Sequence, residues 1–427
     1  MTVFDLPRFF VLPFLFIIGT CIGSFLNVCI HRFPSRVRLR DQLKALSSHS
    51  SGCPRCSAAI LWRDNIPIFG WLFLRGRCRN CRRPIAVRYP LVEFLTGCLF
   101  VLVYQVEMPT HFWSSANDTG LFTPDGPQNL TQHLAMPVWL HVRYALHMAM
   151  ICCLIAASFI DLELWIIPDG TTVPLMFIAL VTHTVCGQAW LVPVWFEDAS
   201  VAGILRQIAP SWCAPWFVPW DSIPFAIAHP HWHGLLVSVA GFIAGGGIVW
   251  AVRIIGELAL RREAMGFGDV VLMAMVGSVL GWQPAVLIFF LAPVPAIVIA
   301  VLSAFVRRRD EIPYGPWLSL ATLLLLLTWP HVWPFAERLF DMSKILLLLA
   351  VPFAIGLAAS LRLSQFIKQL LGWVPEPAPP DAMDDGIPMI YPADRSDPVA
   401  GNWSKDLWPG VRSGQGLSGT YNWRNPR

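Results

Sequence analysis

The chain has 427 residues, of which 55% are hydrophobic and only 14% are charged, and its mean hydropathy is +0.56. A soluble domain carries about 25% charged residues, so this composition excludes a soluble protein. Many apolar runs are long enough to cross a hydrocarbon core of roughly 30 Å, and they lack the short alternating pattern of a membrane β-barrel. The net charge is +4, and the Lys and Arg residues are concentrated in 32–88, 253–262 and 307–309, which marks these segments as cytoplasmic.

Nine apolar segments follow one another along the chain, so the predicted fold is an all-α polytopic membrane protein with about eight to nine transmembrane helices. Their approximate ranges are 9–30, 90–107, 139–160, 171–192, 234–256, 268–281, 285–306, 314–330 and 343–363. The predicted domains are a first transmembrane helix at 9–30, a cytoplasmic insertion at 31–89, a membrane domain at 90–363 and a tail at 373–427. The tail is rich in Pro, Asp, Gly and Ser and is expected to be disordered in the cytoplasm.

Two polar segments are expected on the opposite side of the membrane. Residues 108–138 contain no Lys or Arg, which is typical of a loop outside the cytoplasm. Residues 193–233 are rich in Trp and Pro. Tryptophan is enriched where a protein meets the membrane–water interface, so this segment is expected to be a long outer loop that lies partly on the membrane surface.

Four of the eleven cysteines form the pattern CxxC–x21–CxxC, namely Cys53, Cys56, Cys78 and Cys81. Two such pairs bring four thiolates to one tetrahedral ion, usually zinc. Two disulfides or four free thiols are the alternatives, and disulfides are disfavoured in the cytoplasm. A closed four-cysteine site has no open position for catalysis, so the pattern predicts a structural zinc site within a small insertion.

Two aspartates lie at the ends of apolar segments, where ionisable side chains are costly and mark functional sites. Asp161 follows the apolar run that ends at Ile160, and Asp269 stands at the head of another run, after Gly266 and Gly268. The alternation of the predicted helices places both at the cytoplasmic face. Two carboxylates that share one proton can activate water while one of them polarises a carbonyl group. The sequence therefore predicts an intramembrane aspartic protease with Asp161 and Asp269 as its catalytic pair.

Glu163 and Asp169 share the short segment that contains Asp161. Asp169 follows Pro168 and is expected to cap the next helix, whereas Glu163 is expected to face the aqueous side. A single carboxylate at a helix end is more often an interfacial cap than a catalyst. The prediction of catalysis therefore depends on the pairing of two aspartates.

The order of several motifs resembles that of one family, the bacterial prepilin peptidases, also called type IV leader peptidases. Besides the two CxxC pairs, the resemblance rests on GSFLNV at 23–28, HR at 31–32, WRDNIP at 62–67, RGRC at 75–78, RYPLVE at 88–93, PD at 168–169, GFGD at 266–269 and PYGP at 313–316. These motifs cover most of residues 10–320. The resemblance implies a GxGD-type aspartic peptidase whose catalytic pair falls on Asp161 and Asp269.

The resemblance also implies a location and partners. Such enzymes lie in the bacterial inner membrane and remove the short basic leader of prepilin and pseudopilin precursors at the cytoplasmic face, for type IV pili or type II secretion. Many members also methylate the new N-terminal residue with S-adenosylmethionine, an activity associated with the cysteine-bearing insertion. The expected partners are these precursors and the lipid bilayer, and no nucleic acid is expected, since topology explains the basic insertion.

The chain departs from the family pattern in length. The two aspartates are 108 positions apart (269 minus 161), which is longer than the family leads one to expect. The excess can be placed in 193–233, an outer loop that need not separate the two carboxylates. The segment 109–138 and the chain beyond about 330 are also additional, and none of these insertions replaces a motif residue.

Two other functions fit the residues taken alone. A transporter or channel also uses membrane carboxylates to relay protons or ions, but it often has inverted repeats and carboxylates near the midplane, and the sequence shows neither. A non-enzymatic assembly factor is the second alternative, with the zinc domain and the tail as docking modules.

Overall fold

A computed structural model of the protein describes residues 8–36, 38–47, 52–53, 55–107, 136–260, 265–298, 313–371, 403–404 and 420–421. Nearly all of the predicted outer loop 108–138 and of the predicted disordered tail 373–427 lies outside these residues. The end of the seventh predicted span, 299–306, also lies outside them.

The described residues are largely helical. The α-helices are α1 (Arg8–Arg32), α2 (Leu39–Ser47), α3 (Phe69–Phe73), α4 (Arg88–Glu107), α5 (Met136–Leu164), α6 (Val173–Cys186), α7 (Ala199–Ile208), α8 (Ile223–Ala228), α9 (Pro230–Leu260), α10 (Phe267–Leu280), α11 (Trp282–Leu291), α12 (Gly315–Phe340) and α13 (Ser343–Leu370). Short 3-10 turns lie at Phe33–Ser35, Trp62–Asn65, Asp169–Thr171 and Ala214–Phe217. Two-residue strands, β1 (Trp403–Ser404) and β2 (Thr420–Tyr421), pair in antiparallel orientation.

The membrane-spanning pattern agrees with the sequence. Among the described residues, seven helices are long and apolar enough to cross a membrane, namely α1, α4, α5, α6, α9, α12 and α13. Two shorter apolar helices, α10 and the stretch Trp282–Val298 that begins with α11, complete the series. These nine elements occupy the positions of the nine predicted spans, so the all-α polytopic fold is confirmed.

Several predicted boundaries shift. The first helix runs to Arg32, and α4 begins at Arg88, so the insertion between them is slightly shorter than 31–89. The fourth span ends at Cys186 instead of 192, because Gly187 adopts a φ of 68° and its N–H bonds to the His183 carbonyl, a left-handed cap that stops the helix. The last two spans are longer than predicted and reach Phe340 and Leu370.

Helix α10 lies at the centre of the membrane domain. From Asp269 to Leu280, every residue except Val271 is buried. The helix packs against α9, α6 and α11 on its sides and also contacts α5 and α12. A helix of only 14 residues that is surrounded in this way holds Asp269 at one end of the bundle and its last residues at the other, roughly 20 Å away.

Close helix contacts depend on glycine at two interfaces. A Cβ added to Gly241 of α9 would lie 1.9 Å from the carbonyl oxygen of Gly277 in α10, and one added to Gly277 would lie 2.0 Å from the Gly241 oxygen. In the α1–α4 pair, a Cβ on Gly23 would lie 2.7 Å from the Cα of Glu93. Small residues let membrane helices approach until backbones touch, so both helix pairs are packed more closely than larger residues would allow.

The Trp-rich segment 193–233 forms a compact cap at the end of the bundle distant from Asp269. The Trp282 indole N–H donates to the Val194 carbonyl at 2.6 Å, and the Gln283 amide donates to the Pro193 carbonyl at 2.8 Å. Other tryptophans point outward, with Trp212 83% exposed. The extra length of this segment therefore lies away from the aspartates, and its contact with the membrane surface stays a prediction.

The glycine contacts predict a stability difference between two matched substitutions. Gly241→Ala places a methyl group against the α10 backbone and should destabilise the fold by about 1–3 kcal/mol, as overpacking does. Gly247 lies on the same helix with nothing within 4 Å of an added Cβ, so Gly247→Ala should be neutral or slightly stabilising because alanine favours helix. Thermal unfolding in detergent measures both, and equal midpoints would contradict the close contact.

Candidate active site and metal centre

Asp161 lies in the last turn of α5 and is 6% exposed. Its carboxylate accepts a hydrogen bond from the backbone N–H of Gly315, the first residue of α12. A Cβ on Gly315 would lie 2.6 Å from Oδ2 of Asp161, so a larger residue there would displace the carboxylate. The N-terminus of α12 favours a negative charge through its free N–H groups and its dipole.

Asp269 is the third residue of α10 and is 7% exposed. Gly266 and Gly268, which precede it, leave space for the Asp269 carboxylate and for Ile167, respectively. A Cβ on Gly266 would lie 3.8 Å from Oδ2 of Asp269, and one on Gly268 would lie 3.0 Å from the Cβ of Ile167. The segment that follows Asp161 can therefore pack directly against the start of α10, where the helix dipole again favours a carboxylate.

The structure brings the two predicted aspartates together. Their carboxylates lie close enough to interact electrostatically, although they come from α5 and α10. Ile167 packs against both neighbourhoods, because its Cδ1 lies 3.1 Å from the position of a Cβ on Gly315 as well. Tyr314 interacts electrostatically with Asp269. The arrangement is a buried carboxylate pair at one end of the bundle, bordered by the starts of α10 and α12.

Reasoning from the residues alone missed the contributions of Tyr314, Gly315 and Ile167. The PYGP motif at 313–316 was a signal, but only as part of the family resemblance. A glycine next to a helix start gave no indication of which carboxylate it would approach.

The two neighbouring acids have different environments from those expected. Glu163 is paired with Arg88, the first residue of α4, so it does not simply face water. Asp169 is exposed, but it does not cap the next helix as predicted. The N-cap residue of α6 is Thr172, without a side-chain capping bond, and Asp169 instead forms a 3-10 turn in which its carbonyl accepts the Thr172 N–H.

The four predicted cysteines form one cluster, with all four sulfurs within 4.8 Å of one another. The Sγ atoms of Cys53 and Cys81 are 3.9 Å apart, and those of Cys56 and Cys78 are 4.0 Å apart. Four sulfurs about 2.3 Å from one ion would have similar separations. The cluster therefore fits a tetrahedral metal ion held by four thiolates.

The two CxxC pairs share the same two backbone hydrogen bonds, a repeat that the sequence did not reveal. In the first pair, the Cys53 N–H bonds to the Ala58 carbonyl and the Ser57 N–H to the Cys53 carbonyl. The second pair repeats both bonds 25 positions later, from Cys78 to Arg83 and from Arg82 to Cys78. Ser57 and Arg82 share a positive φ, 57° and 54°. Two equivalent turns thus present two thiols each to a common centre.

Backbone N–H groups also prepare the cluster for a cation. The Ala58 N–H lowers the pKa of the Cys56 thiol to about 6, and the Cys81 N–H lowers the pKa of Cys78. Burial raises the pKa of Cys53 to about 11. A metal ion displaces thiol protons from its ligands. Cys56 and Cys78 therefore lose their protons more readily than free thiols, whereas Cys53 requires the cation.

Several hydrogen bonds join the insertion to the membrane domain. Gln42 of α2 accepts the backbone N–H of Gly170 through Oε1 at 2.6 Å. The Ile68 N–H donates to Oε2 of Glu93 in α4 at 2.7 Å. Where the insertion ends, Arg88 of α4 pairs with Glu163 of α5. The Gln42 bond reaches the segment that follows Asp161, so the insertion lies beside the carboxylate pair.

Comparisons with known proteins agree with this geometry. The family model described as "Bacterial Peptidase A24 N-terminal domain" matches residues 17–106, and that of the "Type IV leader peptidase family" matches 208–301. The chain is 31% identical over 270 residues to a "Prepilin leader peptidase/N-methyltransferase" of Klebsiella pneumoniae, covering 63% of this chain and 85% of that protein. The chain belongs to the type IV leader peptidase family.

Other relatives extend the match along the chain. A "Prepilin leader peptidase/N-methyltransferase" of Aeromonas salmonicida is 28% identical over 340 residues, covering 75% of this chain and 90% of that protein. A "Type 4 prepilin-like proteins leader peptide-processing enzyme" of an Escherichia coli strain is 31% identical over 315 residues, covering 71% and 88%. No solved structure matches. Asp269 falls within the second family match, and Asp161 lies between the two.

The cysteine cluster predicts a specific loss of metal. Cys78→Ser removes one of four ligands and should abolish stoichiometric metal in the purified protein, as measured by elemental mass spectrometry. Cys21→Ser, at an exposed cysteine outside the cluster, should leave the metal in place. Acidification of the wild type should release the ion, because protons compete with the metal for the thiolates. Equal metal content in both variants would contradict a four-cysteine site.

Proposed function

We propose that this protein removes the leader peptide from prepilin and pseudopilin precursors and then N-methylates the new N-terminal residue. The observation that supports the first activity most strongly is the buried pair Asp161 and Asp269 in a chain of the type IV leader peptidase family. The names of the relatives attach the second activity to this family. The comparisons give a transporter no support.

Cleavage is assigned to the two aspartates acting on one water molecule. Two carboxylates in electrostatic contact within an apolar bundle favour a state with a single shared proton. The ionised member takes a proton from water, and the protonated member donates a hydrogen bond to the scissile carbonyl while the water oxygen bonds to the carbonyl carbon. A carboxylic acid proton then passes to the leaving amine, the peptide C–N bond breaks, and a carboxylic acid and a free amine result. The N–H of Gly315 orients the Asp161 carboxylate throughout.

The site is assigned to the cytoplasmic face of the bacterial inner membrane. The insertion carries the largest group of Lys and Arg in the chain, and such segments stay in the cytoplasm. This assignment is supported by Gln42 of the insertion, which accepts the Gly170 N–H in the segment that follows Asp161. Leaders rich in basic residues would meet the site from this side.

The metal is assigned as zinc with a structural role. Cys53, Cys56, Cys78 and Cys81 would hold it, because four thiolates in tetrahedral arrangement suit Zn²⁺ and leave no open position. When bound, the ion crosslinks two turns within a domain too small to bury a large core. S-adenosylmethionine is assigned as the methyl donor, and the insertion as the part of the chain that serves it.

The dyad is tested by isosteric substitution. Asp161→Asn and Asp269→Asn keep the shape of the side chain but remove the proton transfer, so each should lower leader cleavage by at least about 100-fold. Cleavage of a model prepilin in membranes is followed by the mobility shift of the product. Asp169→Asn, at the exposed carboxylate of the same segment, is the matched control and should cleave normally. Cleavage that persists in both dyad variants would refute the assignment.

The role of Gly315 has a separate test. Gly315→Ala inserts a methyl group 2.6 Å from Asp161 Oδ2 and should reduce cleavage by about 10- to 100-fold, because small displacements of a catalytic group have effects of this size. Gly356→Ala, where nothing lies within 4 Å of the added Cβ, serves as the control. Wild-type rates in Gly315→Ala would show that this contact does not position the carboxylate.

A further inference from the structure

A large cavity lies between the insertion and the starts of the first membrane helices. Its volume is about 960 Å³, and its wall is formed by α1, by the N-terminal part of α4 and by residues of the insertion on both sides of the cysteine cluster. Small-molecule sites usually have volumes of about 300–1,000 Å³. The cavity therefore has room for a nucleoside-sized molecule together with the end of a peptide, and the dyad aspartates are not part of its wall.

Three carboxylates line this cavity, and they differ in how they are neutralised. Asp64 accepts two hydrogen bonds from Arg79, at 2.6 and 2.7 Å, and Glu163 is paired with Arg88. Glu93 has no cationic partner among the described residues. It is 9% exposed and accepts the Ile68 N–H at 2.7 Å and a hydrogen bond from Ser24.

A buried carboxylate without a cation is costly. Glu93 is held in place by neutral donors on one side and borders an open space on the other. This combination is what a site for a positively charged ligand requires, because the ligand supplies the missing charge.

The rest of the wall suits a flat aromatic ring and an N–H donor. Trp71 lines the cavity, and its ring is fixed by a hydrogen bond from its indole N–H to the Ile85 carbonyl at 3.1 Å. Tyr89 lines it as well. Asn27 donates from Nδ2 to the Tyr89 carbonyl at 3.0 Å, while its Oδ1 is buried and has no partner among the described residues. Such an acceptor is normally satisfied by a ligand or water.

The cavity adjoins the peptidase site. Glu163, on its wall, lies two residues after Asp161 at the end of α5. A new N-terminal amine formed at the aspartates would therefore emerge next to this space.

We propose that the cavity is the binding site of S-adenosylmethionine, with the cationic end of the donor at Glu93 and the adenine ring against Trp71. This inference rests on the proposed methyltransferase activity and adds its location. The acceptor is the neutral terminal amine, whose lone pair forms the N–C bond as the S–C bond breaks. The bonding pair stays on sulfur as a neutral thioether, and the positive charge passes to the amine. Glu93 thus binds the methyl donor and takes no part in the transfer step.

The site is tested by binding, apart from turnover. Tritiated S-adenosylmethionine is equilibrated with the purified full-length protein without any prepilin. Glu93→Gln keeps a hydrogen-bond acceptor at this position but removes the negative charge. It should weaken the binding of S-adenosylmethionine by at least about 10-fold. Ala86→Trp fills the cavity from an exposed wall position and should abolish saturable binding. Val87→Trp, at the 64% exposed neighbour off the wall, should bind the donor like the wild type.

Thermal unfolding of the same preparations reports whether each variant is folded, and leader cleavage is measured separately. If Glu93→Gln fails to fold, the comparison of donor binding between Ala86→Trp and Val87→Trp tests the inference by itself. Donor binding at wild-type strength in Ala86→Trp and Glu93→Gln would overturn the inference. So would a loss of cleavage in folded Ala86→Trp with donor binding intact, since the cavity would then hold the leader peptide. A wild type that neither binds the donor nor methylates a cleaved pilin would refute the proposed methyltransferase itself, a different result.

Discussion

Two carboxylates buried at the ends of apolar helices would be prohibitively costly if they stood alone. The structure offsets the cost by placing Asp161 against the N–H of Gly315 and Asp269 in the first turn of α10. Both positions lie at a helix N-terminus, where the dipole favours a negative charge, and Asp161 also accepts one of the free N–H groups there. The arrangement requires glycine at Gly315, beside the Asp161 carboxylate, and at the α9–α10 crossing, where two backbones meet. The positions of the two carboxylates therefore depend on the same close packing at glycine that holds the helices together.

The insertion is joined to this arrangement at the same end of the bundle. Its four-cysteine cluster holds two equivalent turns together, and its Gln42 bonds to the segment that follows Asp161. Glu93 joins the insertion to α4 through Ile68. The new N-terminus of a cleaved peptide would therefore form at the aspartates, next to the insertion. This proximity gives a physical reason for two activities in one chain, because the product of the first is the substrate of the second.

The sequence predicted features that depend on local pattern. Hydropathy placed nine membrane elements because each is a continuous run, and spacing identified the four cysteines because CxxC turns form within four residues. Contacts between residues that are far apart in the sequence could not be predicted from it. Gly315 approaches Asp161 from 154 positions away (315 minus 161), and Glu163 pairs with Arg88 although it was expected to face water. The predicted cap at Asp169 was wrong because α6 begins at Val173 and its N-cap residue is Thr172.

The most direct test of the whole account is mass spectrometry of a model prepilin co-expressed with the wild-type protein in bacterial membranes. The account predicts a shortened product whose new N-terminal residue carries one additional methyl group. Cleavage without the methyl group would leave a peptidase and make the insertion structural only. An intact precursor, in membranes that contain the folded protein, would contradict the central claim that the buried aspartates form a proteolytic pair.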